Sequence, residues 1–150
     1  MITVRKSAAE DIGLLMKLRI EMLAVVNNIP ESDISDEILV NSERYFSNGD
    51  SVTALAFDGD IPVGCATICF IGVMPTFSHP SGVRAHIMNV YTRAEYRRKG
   101  AARMMMELIL DEARARGASC ITLDATESGK PLYSALGFRM SEEHMELNIR

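Results

Sequence analysis

The stretch that decides the fold lies in the second half of the chain and reads Val90-Tyr91-Thr92-Arg93-Ala94-Glu95-Tyr96-Arg97-Arg98-Lys99-Gly100-Ala101-Ala102-Arg103. It begins like a strand, becomes basic, and leads directly into a helical pattern. The first turn of a helix has unpaired N–H groups and the positive end of the helix dipole. Gly100 permits a close backbone approach, and the two alanines after it place no bulk over those N–H groups. The stretch therefore predicts a phosphate site, which a pyrophosphate would fit best.

A second interpretation of the same residues stays open at this point. Arg93, Arg97, Arg98 and Lys99 also form a solvated basic turn in front of a helix whose small residues pack closely. Short motifs match by chance often enough that charge and spacing alone do not choose between the two interpretations.

Composition indicates one ordinary globular domain over residues 1–150. The chain has 47% hydrophobic and 24% charged residues, and its formal net charge is −4. That balance argues against nucleic acid or an anionic membrane as a partner. Three cysteines without a C-x-x-C spacing predict free thiols in a reducing cytosol. No apolar run approaches the roughly 20 residues of a membrane helix, and we find no signal peptide, so we expect a cytoplasmic protein.

Hydrophobic periodicity predicts the order β-α-α-β-β-β-α-β-α-β-β. A helix over residues 8–27 is expected to start at a capping box formed by Ser7 and Glu10, and Arg19 interrupts its apolar face. Asp58-Gly59 predicts a hairpin turn, and the strand after it is apolar on both faces, as in a sheet covered by helices. The other elements are expected at residues 2–6, from 35 onward, 51–57, 61–73, 86–92, 101–116, 120–123 and 131–136, before two short closing strands. This order indicates an α/β sandwich with a mixed sheet.

Two motifs together resemble a known family. Arg97-x-x-Gly100-x-Ala102, placed between a strand and a helix, is similar to the pyrophosphate loop of the GCN5-related N-acetyltransferases. Further along, Leu132-Tyr133-Ser134-Ala135-Leu136-Gly137-Phe138 resembles the second signature of that family. The resemblance covers essentially the whole chain. It implies a mixed, mostly antiparallel central sheet flanked by helices and splayed between strands four and five.

The resemblance also implies acetyl-CoA as the acyl donor. The pyrophosphate would lie on the N–H groups of residues 98–103, and pantetheine would pair with the backbone of strand four, where the N–H of Val90 or Tyr91 would serve as the oxyanion donor. Tyr133 would be the catalytic acid that protonates the departing thiolate. The implied donor-binding residues are Val90, Tyr91, Thr92, Arg97, Arg98, Lys99, Gly100, Ala101, Ala102, Arg103 and Thr126. We expect no metal site.

The chain departs from the family pattern at two positions. Asn89 stands where many relatives have a glutamate base, and an amide cannot accept a proton at any useful pH. Thr126 replaces an asparagine that touches the donor in relatives. The candidates for a relocated base are His86, His79, Glu21 and Glu43, and none of them is preferred from sequence. His86 would share a face with Asn89 only if the strand has a bulge between them.

The sequence therefore predicts an N-acetyltransferase that acts by direct transfer on a primary amine of a small molecule or peptide. The alternatives are a non-catalytic acyl-CoA-binding module and a structural interaction protein. The two N-terminal helices and the 74–83 loop, which carries Phe77 and His79, are expected to define the acceptor pocket. The resemblance is also compatible with a homodimer.

Overall fold

The backbone is organised around one sheet whose strands lie side by side in chain order. A computed structural model describes residues 1–141 and 143–149. Its elements are β1 (Ile2–Lys6), α1 (Ile12–Asn27), α2 (Asp36–Asn48), β2 (Ser51–Asp58), β3 (Ile61–Gly72), β4 (Val83–Thr92), α3 (Ala101–Ala115), β5 (Cys120–Leu123) and α4 (Lys130–Ala135). The sheet order is β1-β2-β3-β4-β5. All neighbours are antiparallel except β4 and β5, which are parallel, so the predicted mixed, mostly antiparallel sheet is confirmed.

The helices cover both faces of this sheet. On one face α3 buries Met105, Met106 and Ile109 against the central strands. On the other face Leu15 and Leu18 of α1 pack on β2 and β3. The double coverage explains why β3 is apolar on both of its faces. Among the described residues, no helix combines the length and the apolar character that crossing a bilayer would require.

The start of α1 differs from the prediction. The predicted Ser7–Glu10 capping box is wrong, because a short 3-10 turn (Ala9–Asp11) comes first and α1 begins at Ile12. The carboxylate that accepts the free N–H of Ala8 belongs to Asp11, at 2.7 Å, and Arg5 on β1 donates to the same oxygen. The arginine on the neighbouring strand thus selects Asp11 over Glu10 as the capping acid.

The described residues after α4 do not form the two predicted closing strands. Residues 139–141 and 143–149 contain no strand, although Met145, Leu147 and Ile149 alternate with polar residues as strand residues do. These three side chains are almost fully exposed. Alternation predicts a strand only where a partner supplies backbone hydrogen bonds, and the described strands supply none to this segment.

Candidate active site

The sheet opens between β4 and β5. The two strands pair only from Arg84–Cys120 to Ile87–Leu123, where β5 ends, whereas β4 continues to Thr92. Residues 88–92 therefore have a neighbouring strand on the β3 side alone. The predicted splay between strands four and five is confirmed, and it leaves a strand edge that can accept an extended ligand.

A β-bulge lies at the start of this opened edge. Thr67 pairs with Met88 and Cys65 with Tyr91, so three steps along β4 match two steps along β3. Asn89 has a φ of 59°, in the left-handed region that few side-chain-bearing residues adopt. As a result His86, Met88 and Asn89 all line one cavity. The sequence analysis expected His86 and Asn89 to share a face only if the strand had a bulge, and the bulge is present.

The Asn89 amide is buried and fully engaged. Its Oδ1 accepts a hydrogen bond from Arg19 Nη1 at 3.3 Å, and its Nδ2 donates to Thr67 Oγ1 at 3.3 Å. The side chain is 8% exposed. Asn89 thus fixes the position of Arg19 and takes no part in proton transfer, in agreement with its amide chemistry.

The cavity has a volume of about 590 Å³ and lies between the α1–α2 pair and strands β3 and β4. Its lining combines apolar walls with a few polar groups: Arg19, Glu37, Ile38, Asn41, Ser42, Tyr45, Phe46, Thr67, Cys69, Ile71, His86, Met88 and Asn89. A volume in this range suits a small molecule. The two N-terminal helices line it as predicted. The 74–83 loop does not, and Phe77 is fully exposed to solvent. That part of the pocket prediction was wrong.

The basic loop (residues 97–103) presents a row of free backbone donors. The first helical hydrogen bond runs from Met104 N to Gly100 O at 3.0 Å. Within the described part of the chain, the N–H groups of residues 98–103 donate to no carbonyl and to no side chain. Gly100 has a φ of +84°, and a Cβ built there would meet nothing within 4 Å. Six free N–H groups beside open space at a helix start fit a pyrophosphate.

The cations around the basic loop are less concentrated than the sequence implies. Arg97 Nε donates to Thr92 O, Lys99 lies over the Tyr96 ring, and Arg103 pairs with Glu107 one turn along α3. Arg93, which belongs to the same basic stretch of sequence, is neutralised by Glu21 on α1 at 2.6 Å. The backbone N–H groups are therefore the principal feature of this site.

Tyr133 lies on α4 and packs with the core on the α3 face of the sheet. Its ring meets the Phe138 ring edge-on, with centroids 6.2 Å apart. Its hydroxyl makes no hydrogen bond to the described residues, and burial raises the pKa of this phenol. Gly129 lies directly beneath the ring, since a Cβ there would come within 2.7 Å of it. Packing thus holds the Tyr133 ring in place, while its hydroxyl proton is not donated to any described residue.

Thr126 has a defined structural role. Its hydroxyl accepts the N–H of Gly129 at 3.2 Å, immediately before α4 begins. The contact with the donor that the resemblance implies for Thr126 stays a prediction.

Three of the four candidate bases lie outside the cavity lining. Glu21 is paired with Arg93, which lowers its pKa, and Glu43 lines a separate groove between α1 and α2. His79 lies on the 74–83 loop. His86 lines the cavity, with Nδ1 2.7 Å from Thr122 Oγ1 and Nε2 3.8 Å from Asp124 Oδ2. Thr122 Oγ1 also lies 3.5 Å from Ala85 O, so this hydroxyl links the His86 ring to the backbone of β4.

The cysteines are free thiols with different surroundings. Cys65 is completely buried, and desolvation raises the pKa of its thiol to about 12, so it remains protonated. Cys69 pairs with His86 across β3 and β4 and lines the cavity. The sequence predicted free thiols but did not distinguish these two surroundings.

Arg19 is the site residue that the sequence did not assign. The signal was present, because a guanidinium interrupts the apolar face of α1. What that guanidinium faces became visible only with the bulge and the cavity in place.

The sequence and the fold match known acetyltransferases. The family model described as the acetyltransferase (GNAT) family matches residues 19–138. The crystal structure of a predicted acetyltransferase with acetyl-CoA from Clostridium acetobutylicum has a TM-score of 0.85 and 31% identity, covering 99% of this chain and 97% of that one. A GCN5-related N-acetyltransferase from Ralstonia eutropha JMP134 shares the fold, with a TM-score of 0.74, 23% identity and 99% of each chain covered.

A glucosamine 6-phosphate N-acetyltransferase of Trypanosoma brucei brucei is 29% identical over 87 residues, which make up 58% of this chain. The match spans only 57% of that relative's length. The family match extends from Arg19 in the cavity, through the basic loop, to Phe138 beside Tyr133. The chain therefore belongs to the acetyltransferase (GNAT) family.

Proposed function

We propose that residues 1–150 form a single domain that transfers an acetyl group from acetyl-CoA to a primary amine. The observation that carries this proposal is the row of free N–H groups at residues 98–103, which follows the opened edge of β4 after one short turn. A diphosphate and an extended amide chain are the two ligand types that these neighbouring features recognise.

The donor would be held mainly by backbone. The N–H groups of Arg98, Lys99, Gly100, Ala101, Ala102 and Arg103 would bind the pyrophosphate, with Arg97 beside them. The edge at Val90, Tyr91 and Thr92 would pair with pantetheine, and Thr126 would add a hydroxyl contact. Acetyl-CoA supplies an acetyl group activated as a thioester.

Groups of the chain would then carry out two proton transfers, one to the departing sulfur and one from the attacking amine. Tyr133 donates its proton to the departing sulfur, and its raised pKa keeps the phenol protonated at neutral pH. A backbone N–H of Val90 or Tyr91 donates to the carbonyl oxygen as its charge grows. The His86 imidazole, which lines the cavity, would accept the amine proton, directly or through water.

Direct transfer between the two substrates is the route that we propose. A C–N bond forms as the C–S bond breaks, the amine loses a proton, and the sulfur gains one from Tyr133. The cavity opens on the α1–α2 face of the sheet, whereas Tyr133 packs on the α3 face. Donor and acceptor can therefore bind at the same time from opposite sides. The protonated Cys65 thiol offers no nucleophile for a covalent intermediate, and the direct route that we propose makes no use of the Cys69 thiol in the cavity lining.

The acceptor that we propose is a small-molecule or peptide amine in the cytoplasm. An amino sugar phosphate, the substrate in the name of the Trypanosoma brucei brucei relative, is one such candidate. Nucleic acid and membrane are not proposed as partners. Association into a homodimer is tested separately by light scattering of the purified chain.

Two measurements test the activity. Calorimetry with acetyl-CoA tests binding, and labelled acetyl-CoA with pooled amines and peptides tests transfer. We expect saturable binding of one acetyl-CoA per chain and an acetylated amine product. Binding without transfer to any acceptor would favour the acyl-CoA-binding module, and failure to bind would refute both functions.

A further inference from the structure

Arg19 is a cation without a carboxylate partner. It lies in the middle of α1, partly buried, and lines the cavity. Its Nη1 donates to the neutral amide of Asn89 at 3.3 Å. Among the described residues it forms no ion pair.

Three other arginines differ from Arg19, because each of them has a carboxylate partner. Arg5, Arg93 and Arg116 each contact a carboxylate at 2.6–2.7 Å. Burial lowers the pKa of Arg19, and no carboxylate is close enough to offset that effect. Glu37, which also lines the cavity, has an exposed side chain on the first turn of α2. Because burying an unpaired cation costs free energy, an anion from outside the chain would stabilise Arg19 in this cavity.

We propose that Arg19 binds an anionic group of the acyl acceptor, which is therefore a small primary amine that also carries a carboxylate or a phosphate. The proposal rests on the acetyl-transfer function proposed above and names the substrate class of that site. The guanidinium geometry matches both anions, since each can accept two parallel N–H bonds.

The position of Arg19 also places the anion relative to the opened edge. Arg19 is one hydrogen bond from Asn89, and Asn89 is the bulge residue at the start of the opened strand edge. The anion would therefore bind on the cavity side of the edge where the proposed transfer takes place. Ile38, Phe46 and Met88 supply apolar walls for the rest of a small acceptor.

The first test measures anion binding without any assumption about the acceptor. The ¹⁵Nε–Hε resonance of Arg19 is followed by NMR in the acetyl-CoA-saturated protein during titration with acetate and, separately, with inorganic phosphate. Arg19→Gln identifies the resonance by its disappearance, and we expect the shift to be saturable and to be retained in Lys17→Gln, which removes one exposed charge from the same helix. If neither anion shifts this resonance in a saturable way, the proposal is overturned.

The second test compares matched acceptors. Alanine is paired with alaninamide, and glucosamine 6-phosphate with glucosamine, so that each pair differs in one anionic group. We expect the anionic member of one pair to be favoured about 100-fold in kcat/KM, because its absence leaves a buried ion unpaired. The pair that shows the preference identifies carboxylate or phosphate as the anion.

Arg19→Gln should reduce that preference to within about threefold, and Arg19→Lys should restore part of it. Acetyl-CoA affinity should stay unchanged in both variants. A preference that survives in Arg19→Gln refutes the role of Arg19. Anion binding at Arg19 without acetylation of any amine would instead refute the proposed activity, so the two failures are distinguishable.

Discussion

Arg93 forms a bidentate ion pair with Glu21, with Nη2 2.6 Å from Oε1 and Nε 3.0 Å from Oε2. The Tyr91 hydroxyl donates to the same carboxylate, and the third donor group of Arg93 reaches Pro62 O at 2.8 Å. The two charged side chains are only 19% and 20% exposed. This ion pair joins α1 to the end of β4, and it sets the helix that carries Arg19 over the strand that leads into the basic loop.

Glu21→Gln should lower the free energy of unfolding by about 2 kcal/mol, because it leaves the Arg93 charge uncompensated in a partly buried site. Urea unfolding at pH 7 measures the change. Glu107→Gln breaks an exposed pair on α3 and serves as the control, with an expected loss of about 0.5 kcal/mol or less. Equal losses in the two variants would contradict the prediction.

The same pair has a defined pH dependence. Arg93 lowers the pKa of Glu21 in the folded chain, so the stabilisation is complete above the unfolded value of about 4.3 and disappears as the pH falls through the folded value. The difference in unfolding free energy between the wild type and Glu21→Gln should therefore shrink below about pH 4. A difference that stays constant to pH 2 would show that the ion pair is not its source.

Gly100→Glu should weaken acetyl-CoA binding by about 100-fold or more, because it places a carboxylate in the open space beside the free N–H groups. Calorimetry measures the affinity. Gly117→Glu is a matched control, since Gly117 follows the other end of α3 with a φ of +75° and equally open surroundings. Both variants should lose about 1 kcal/mol of stability through backbone strain, and only Gly100→Glu should lose affinity.

Tyr133→Phe should reduce kcat by about 100-fold while leaving the affinity for acetyl-CoA unchanged. The ring keeps its contact with Phe138, so the variant removes the proton donor without disturbing the packing. Tyr96→Phe deletes a hydroxyl elsewhere and should have no effect on kcat. If Tyr133→Phe turned over at the wild-type rate, Tyr133 would not be the acid.

His86→Gln should reduce kcat by about 10- to 100-fold, because an amide keeps a hydrogen bond to Thr122 and cannot accept the amine proton. Initial rates at saturating acetyl-CoA measure this effect. His79→Gln, on the loop outside the cavity lining, is the control. A normal kcat in His86→Gln would indicate that water alone removes the proton.

The sequence predicted the features that depend on local pattern. The basic loop, the helix after it and the position of Tyr133 all follow from neighbouring residues, and so does the order of the first five strands. The bulge at Asn89 could not be predicted from neighbouring residues, because it depends on a register set jointly by β3 and β4. The Arg93–Glu21 pair joins residues 72 positions apart, and no local pattern signals it. The closing strands failed for a related reason, since alternation cannot say whether a partner strand is available.

The bulge at Asn89 also has a consequence for how such an enzyme can change over time. One inserted residue puts His86, Met88 and Asn89 on the α1–α2 face, while Ala85, Ile87 and Val90 pack with the α3 side. Under the proposed function, substitutions at Met88 or at the cavity residues of α1 and α2 would alter the accepted amine without touching the side proposed to bind the donor. β4 thus separates the two halves of one site, so that a new acceptor specificity can evolve while donor binding is kept.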